Sequence, residues 1–116
     1  MTDWQGRTKL ILGDEGLNRL KSSNVLVVGL GGVGAYAAEM ICRAGVGKMT
    51  IVDGDTVHET NRNRQLPAMK STIGQAKAEI MSLRMKDINP DIQLTAIHEY
   101  LKDERMIEVL DQGFDY

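Results

Sequence analysis

Several residue types are nearly missing from this sequence. Cysteine occurs once and proline twice, and aromatics make up 4% of the 116 residues. A lone thiol, Cys42, rules out an intrachain disulfide framework and suits a reducing compartment. No stretch approaches the ~18 consecutive apolar residues of a membrane span. The first residues, Met-Thr-Asp-Trp-Gln-Gly-Arg, lack the apolar core of a signal peptide. The expected location is therefore cytoplasmic, with no membrane partner. Positive charge is not in excess either: the net charge is −2, so no global basic field recruits nucleic acid, and RNA contact would need a local patch or a further segment. His58 and His98 are isolated from each other and from Cys42, so no metal site is assigned.

Glycine is plentiful, at 12 residues, and methionine reaches 7. The decisive stretch is Val25-Leu26-Val27-Val28-Gly29-Leu30-Gly31-Gly32-Val33-Gly34. A continuous branched apolar run reads as a central parallel strand covered on both faces. The glycines at 29, 31 and 34 have G-x-G-x-x-G spacing. Gly29 allows a tight turn out of the strand, Gly31 lets backbone approach a phosphate, and Gly34 lets the next helix lie close to the strand. The helix N-terminus then faces an anion.

The rest of the chain alternates. Residues 7–12 read as a short mixed segment ending at Gly13, and residues 14–21 as a short helix. Asn24–Val28 is the first strand. Residues 32–44 are a crossover helix with Val33, Ala37, Met40, Ile41 and Ala44 on its inner face, ended by Gly45 and Gly47. Lys48–Val52 is a second strand, and residues 54–69 form a long polar loop, a length that signals function or mobility. Thr72 and Gln75 have capping-box spacing ahead of a helix that turns Ala76, Ile80 and Leu83 inward and stops near Asn89-Pro90. Residues 91–98 form a third, marginal strand, and residues 103–112 a helix with Met106, Ile107 and Leu110 inward. Phe114-Asp115-Tyr116 reads as the start of a fourth strand.

Such alternation implies an α/β fold: a Rossmann-like parallel sheet in the order 3-2-1, its fourth strand cut short, preceded by a helical segment. The expected division is residues 1–23 for that segment and 24–116 for a partial Rossmann-like ATP-binding domain. Without a fourth strand the first would keep an unpaired edge. The expectation is therefore the N-terminal portion of a larger fold, or a chain that pairs this edge with another.

Polar residues cluster where such a fold binds its ligand. Asp53 follows Gly34 by 19 positions, at the end of strand 2, where a carboxylate can accept from a ribose. Asp53-Gly54 is also turn chemistry, so a loop-capping role competes. Asn61-Arg62-Asn63-Arg64-Gln65 supplies planar cationic forks and neutral donors beside the crevice, suited to phosphate. Lys77 lies in the first turns of its helix, opposing the dipole, a cost more readily tolerated near an anion. An exposed lysine paired with an acid is the competing reading. Cys42, mid-helix among apolar residues, reads as a small core residue rather than a nucleophile.

These residues together resemble the ThiF/MoeB/HesA family, bacterial relatives of ubiquitin-activating enzymes. The resemblance rests on Arg7 before Gly13, on Gly29 to Gly34, on Ala44-Gly45-Val46-Gly47, on Val52-Asp53-Gly54-Asp55-Thr56-Val57, on Asn61 to Gln65, and on Gly74-Gln75-Ala76-Lys77 with Ile88-Asn89-Pro90. Ala37-Ala38-Glu39, Arg43, Thr60-Asn61-x-Asn63-Arg64-Gln65 and Lys77-Ala78-Glu79 look most like its tRNA threonylcarbamoyladenosine dehydratase branch.

The resemblance implies an ATP-dependent enzyme that activates a carboxylate as an acyl-adenylate, either on tRNA or at the C-terminus of a ubiquitin-like carrier protein. It puts Gly29, Gly31, Gly32 and Gly34 under the nucleotide, Asp53 on the ribose, and Asn61, Arg64 and Lys77 on the phosphates, with Gln65 nearby. Arg7 matches an arginine given across a homodimer interface to the partner's ATP. Arg62 stands where many relatives are apolar, and its role is open. The family's magnesium-binding aspartate lies on the strand that begins here at Phe114, beyond Tyr116, so this chain is expected to be an incomplete enzyme with little or no turnover. Two other readings fit parts of the pattern. An NAD-dependent oxidoreductase domain shares the glycines and Asp53, and a noncatalytic dimerising domain shares the fold.

Overall fold

The computed structural model describes residues 3–116. Met1 and Thr2, the first two positions of the expected helical segment, lie outside the described residues. A 3-10 turn at Asp3–Gln5 leads into α1, Gly6–Lys21. The expected mixed segment at 7–12 is therefore helical. Its apolar triplet Leu10-Ile11-Leu12 hides the period, and all three side chains are exposed. Gly13 (φ 69°, ψ 178°) is non-helical, so α1 is two helical stretches that meet at a kink, at the boundary expected there.

The strands are β1 (Asn24–Val28), β2 (Lys48–Val52) and β3 (Gln93–Ile97). They form one parallel sheet in the order β1-β2-β3, with Val27 opposite Ile51 and Ile51 opposite Ala96. The expected parallel 3-2-1 arrangement is thus observed. Asp115 N–H donates to the Asn24 carbonyl at 2.8 Å and Leu26 N–H to the Tyr116 carbonyl at 2.9 Å, so the C-terminal residues run beside β1. Coverage of β1 is uneven. Val25 is buried but Val28 is 56% exposed, which corrects the reading of a strand covered on both faces.

Helices α2 (Gly34–Ala44) and α3 (Lys77–Ile88) pack on each other and on the sheet. Leu30, Ala35, Ala38, Cys42, Met49, Ile51, Met81 and Met85 belong to the core cluster they share. The expected inner face of α2 is wrong in detail. Val33, Ala37 and Met40 are exposed, and the buried positions are Ala35, Ala38, Glu39 and Cys42. The cause is proximity: a Cβ on Gly34 would overlap the Gly29 carbonyl oxygen. A helix held that close presents small residues and leaves large ones outside.

The start of α3 is also corrected. Thr72 does not cap it. Its hydroxyl accepts from Met69 N–H at 2.9 Å and donates to the Pro67 carbonyl at 2.6 Å. Gly74 has φ 86° within a turn, and Ala76 is extended and bridges Thr56 antiparallel, so the helix begins only at Lys77. Leu83, expected inward, is exposed, while Met81 and Met85 are buried. Helix α4, Asp103–Leu110, buries Val109, and its stripe of Met106, Ile107 and Leu110 is exposed. No described element covers that stripe. Among the described residues, no helix is long and apolar enough to cross a membrane.

Candidate functional site

The site assembles at the carboxyl end of the sheet. Gly29 leaves β1 with φ 92°, a conformation open to glycine, and its N–H donates to the Val52 carbonyl at 2.7 Å. Asp53 reaches back from the end of β2. Its Oδ2 accepts from Leu30 N–H at 2.6 Å and its Oδ1 from Asp55 N–H at 2.7 Å. Asp53 therefore caps its own turn and pins the glycine loop. A carboxylate oxygen that accepts one N–H keeps a second lone pair, so contact with a ribose hydroxyl remains chemically open.

The loop from 54 to 76 is closed on itself. Val57 N–H donates to the Gln75 carbonyl, Gly74 N–H to the Val57 carbonyl, and Lys77 N–H to the Asp55 carbonyl. Val57, Ala68 and Ile80 form a small core beneath it. A 3-10 turn at Glu59–Asn63 organises its polar tip. There the Asn61 side-chain oxygen accepts from His58 N–H at 2.9 Å, and its carbonyl accepts from the N–H groups of Arg64 and Gln65.

Arg64 is exposed and donates to Asn63 Oδ1 at 2.8 Å, and no carboxylate pairs with it among the described residues. Arg62 lies 3.8 Å from Glu59. The Gln65 amide nitrogen sits 3.7 Å from the point where Gly31 would carry a Cβ, which brings the loop against the glycine turn. Its Oε1 is buried and accepts no hydrogen bond from the protein. Gly32 is exposed in the same turn.

Lys77 opens α3 and is buried, with 5% of its side chain exposed. Its Nζ lies 3.8 Å from Asp55 Oδ2, the one acidic group within ion-pair distance among the described residues. The competing expectation of an exposed lysine is half corrected: the acid is present, but the lysine is inside. Arg7 is not brought to this place. It is exposed near the start of α1, two residues after Gln5, whose amide packs against Gly45 at the other end of the sheet. A five-residue strand separates those ends by ~17 Å.

Two residues of the site were not singled out from sequence. Asp55 joins the Asp53 turn to Lys77, and Tyr100, from the segment after β3, donates its hydroxyl to Asp55 Oδ1. The Tyr100 ring lies over Gly54, where a Cβ would strike it. The hydrogen bond to Asp55, then burial, then the charges of Asp55 and Asp53 raise its phenol above the ordinary value. The Asp-x-Asp spacing was a signal for Asp55; Tyr100 carried none beyond lying just past a strand end.

Cys42 does not compete chemically. Burial pushes the Cys42 thiol up to about 11, and its Sγ donates to the Met85 carbonyl, as suits a core residue. Among the described residues, no cluster of His, Cys, Asp or Glu could hold a metal ion. A cavity of about 380 Å³ opens beside α1 and Gly45, remote from the glycine loop and without a comparable cradle.

The profile of the ThiF family matches residues 5–116. The tRNA threonylcarbamoyladenosine dehydratase of Bacillus subtilis (strain 168) is 46% identical over 110 residues, covering 95% of this chain and 43% of that protein. The molybdopterin-synthase adenylyltransferase of Salmonella typhimurium is 41% identical over 96 residues, covering 83% and 39%. Among solved structures, the E. coli tRNA N6-threonylcarbamoyladenosine dehydratase in complex with ATP superposes with a TM-score of 0.92 at 35% identity, covering 97% of this chain and 48% of that one. The chain thus spans about two fifths of the length of these curated relatives.

Proposed function

The chain belongs to the ThiF family, and from that premise we propose that it is the nucleotide-binding part of an ATP-dependent adenylating enzyme. The observation that carries this reading is the convergence of the glycine turn, the Asp53 turn and buried Lys77 at the carboxyl end of the sheet. The likeness to dehydratases spans nearly the whole chain and favours one substrate, the threonylcarbamoyl group on a tRNA adenosine. A carboxylate oxygen of that group bonds to the α-phosphorus of ATP while the bond to the bridging oxygen breaks, giving an acyl-adenylate and pyrophosphate. A nucleophilic atom of the same group then bonds to the activated carbonyl and gives its proton to solvent while the acyl C–O bond to AMP breaks, so a ring closes and the substrate has lost water overall.

In this reading Gly29, Gly31, Gly32 and Gly34 lie beneath the nucleotide, and Asp53 accepts from the ribose. Asn61, Arg64 and Lys77 hold the phosphates, with Gln65 beside the turn. The positive charges of Arg64 and Lys77 stabilise the departing pyrophosphate. Arg7, remote from its own crevice, acts in the partner's site of a homodimer. The division into a helical segment before residue 24 and an ATP-binding domain after it belongs to the same reading, as does a cytoplasmic location. Magnesium does not fit the residues present. The Asp53 oxygens each accept from a backbone amide, and those of Asp55 face Tyr100 and Lys77. The likeness to a molybdopterin-synthase adenylyltransferase supports a second reading, in which the activated carboxylate is the C-terminus of a carrier protein.

Titrating the chain with ATP and with NAD tests the nucleotide class. ATP is expected to bind more tightly, and tighter saturation by NAD overturns the proposal in favour of an oxidoreductase domain. Arg64→Ala is expected to weaken ATP about tenfold, the loss of one charge-assisted contact. Unchanged affinity in that variant leaves a noncatalytic dimerising domain as the better account.

A further inference from the structure

Lys77 occupies a poor place for a cation. It is buried, it sits at the positive end of the α3 dipole, and Asp55 is its one acidic neighbour among the described residues. Asp55 is held from four directions. Its N–H donates to Asp53, its carbonyl accepts from Lys77 N–H, Oδ1 accepts from Tyr100, and Oδ2 faces the Lys77 ammonium at 3.8 Å. That separation exceeds a direct hydrogen bond, so the ammonium keeps donors uncommitted.

From this geometry we infer that Asp55 and Tyr100 are positioning residues: Tyr100 fixes the Asp55 carboxylate, and Asp55 holds the Lys77 ammonium in place beside the phosphate chain. This rests on the nucleotide reading above. The ring of Tyr100 over Gly54 keeps the Asp53-Gly54-Asp55 turn in one place. One network therefore links the ribose-side carboxylate to the phosphate-side cation. The ion pair offsets part of the hydration that burial removes, while its length leaves the ammonium able to turn to a stronger anion.

The test measures ATP and AMP affinities of the full chain by calorimetric titration. Asp55→Asn is expected to weaken ATP about fivefold or more and AMP less than twofold, because the polyphosphate depends more on the cation. Tyr100→Phe, an exposed and mild change, is expected to act in the same direction with a smaller fold-change. In a Lys77→Ala background, Asp55→Asn is expected to add nothing further. If the wild-type chain binds ATP and Asp55→Asn leaves it unchanged, or weakens ATP and AMP equally, the inference fails while the function stands. Additive losses in the double variant also overturn it. A wild-type chain that binds neither nucleotide overturns both, and an Asp55→Asn chain that does not fold leaves the decision to Tyr100→Phe.

Discussion

Between α2 and α3, Glu39 is buried while Arg43 and Arg84 reach it with side chains 49% and 41% exposed. At the carboxyl end of the sheet the layout is reversed: Lys77 is buried, with 5% of its side chain exposed, and Asp55 is 45% exposed. Both clusters join elements distant in sequence. They differ in completeness. Glu39 accepts from two guanidinium groups, one on each oxygen, and has no use for a further partner. Lys77 has one acid among the described residues, at a loose distance. A buried acid satisfied twice is a clamp between helices. A buried base satisfied loosely has donors to spare, which is what the proposed phosphate contact needs.

The largest effect separating the two is expected from Glu39→Gln. It removes a charge from a pair of charge-assisted bonds, and the exposure of both arginines discounts the loss to about 1–2 kcal/mol of unfolding free energy. Urea denaturation would measure it as a lower midpoint at unchanged slope. ATP affinity should stay within twofold of wild type. A matching loss of ATP binding would mean that the clamp and the crevice are one system, and the contrast would collapse.

How far the sequence disclosed these two places follows from what each depends on. Strands, sheet order and glycine turn were legible because branched runs and Gly spacing are local signals. So was Gly45 as the stop of α2, where φ is 106°. Helix faces were not. The apolar stripes of α2 and α4 are stronger than the buried ones, but Gly34 admits only small residues near the sheet, and Met106, Ile107 and Leu110 have no described neighbour. Lys77 was noticed for the dipole it opposes, yet its burial depends on the Thr56–Ala76 bridge, which delays the helix and turns that position inward. Tyr100 is tied to the site through Asp55 and Gly54, far back along the chain. Thr72 and Gln75 mimic a cap because spacing alone does not reveal that the Thr72 hydroxyl is already committed to Pro67 and Met69.

Acid should separate the clusters next. Burial alone would raise the Glu39 carboxyl, but the hydrogen bonds and charges of Arg84 and Arg43 outweigh it and hold the group below its usual value of 4.5. A group whose folded value is depressed contributes stability above its unfolded value, and that contribution is lost as pH falls through the folded value. The wild type should therefore lose stability relative to Glu39→Gln below about pH 4.5, and the two should differ by a constant amount from pH 6 to 8. Glu99, also held low by its hydrogen bond to Arg105, titrates in both proteins and cancels in the difference. Parallel curves below pH 4.5 would show that the arginines do not favour the charged form of Glu39.

The smallest effect is local, and Cys42 reports it. The thiol is fully buried three residues beyond Glu39 on α2, and burial raises it to about 11, so little thiolate exists at pH 8. A disulfide reagent then labels it only through openings of the α2–α3 layer. Glu39→Gln should speed labelling about threefold, since it weakens the clamp that closes that layer. Asp55→Asn and Tyr100→Phe should leave the rate near wild type, because their contacts lie at the far side of the sheet end and hold a turn rather than the helix pair. If those two variants accelerate labelling as much as Glu39→Gln does, Asp55 is a second clamp, and its effect on Lys77 is a by-product of stability.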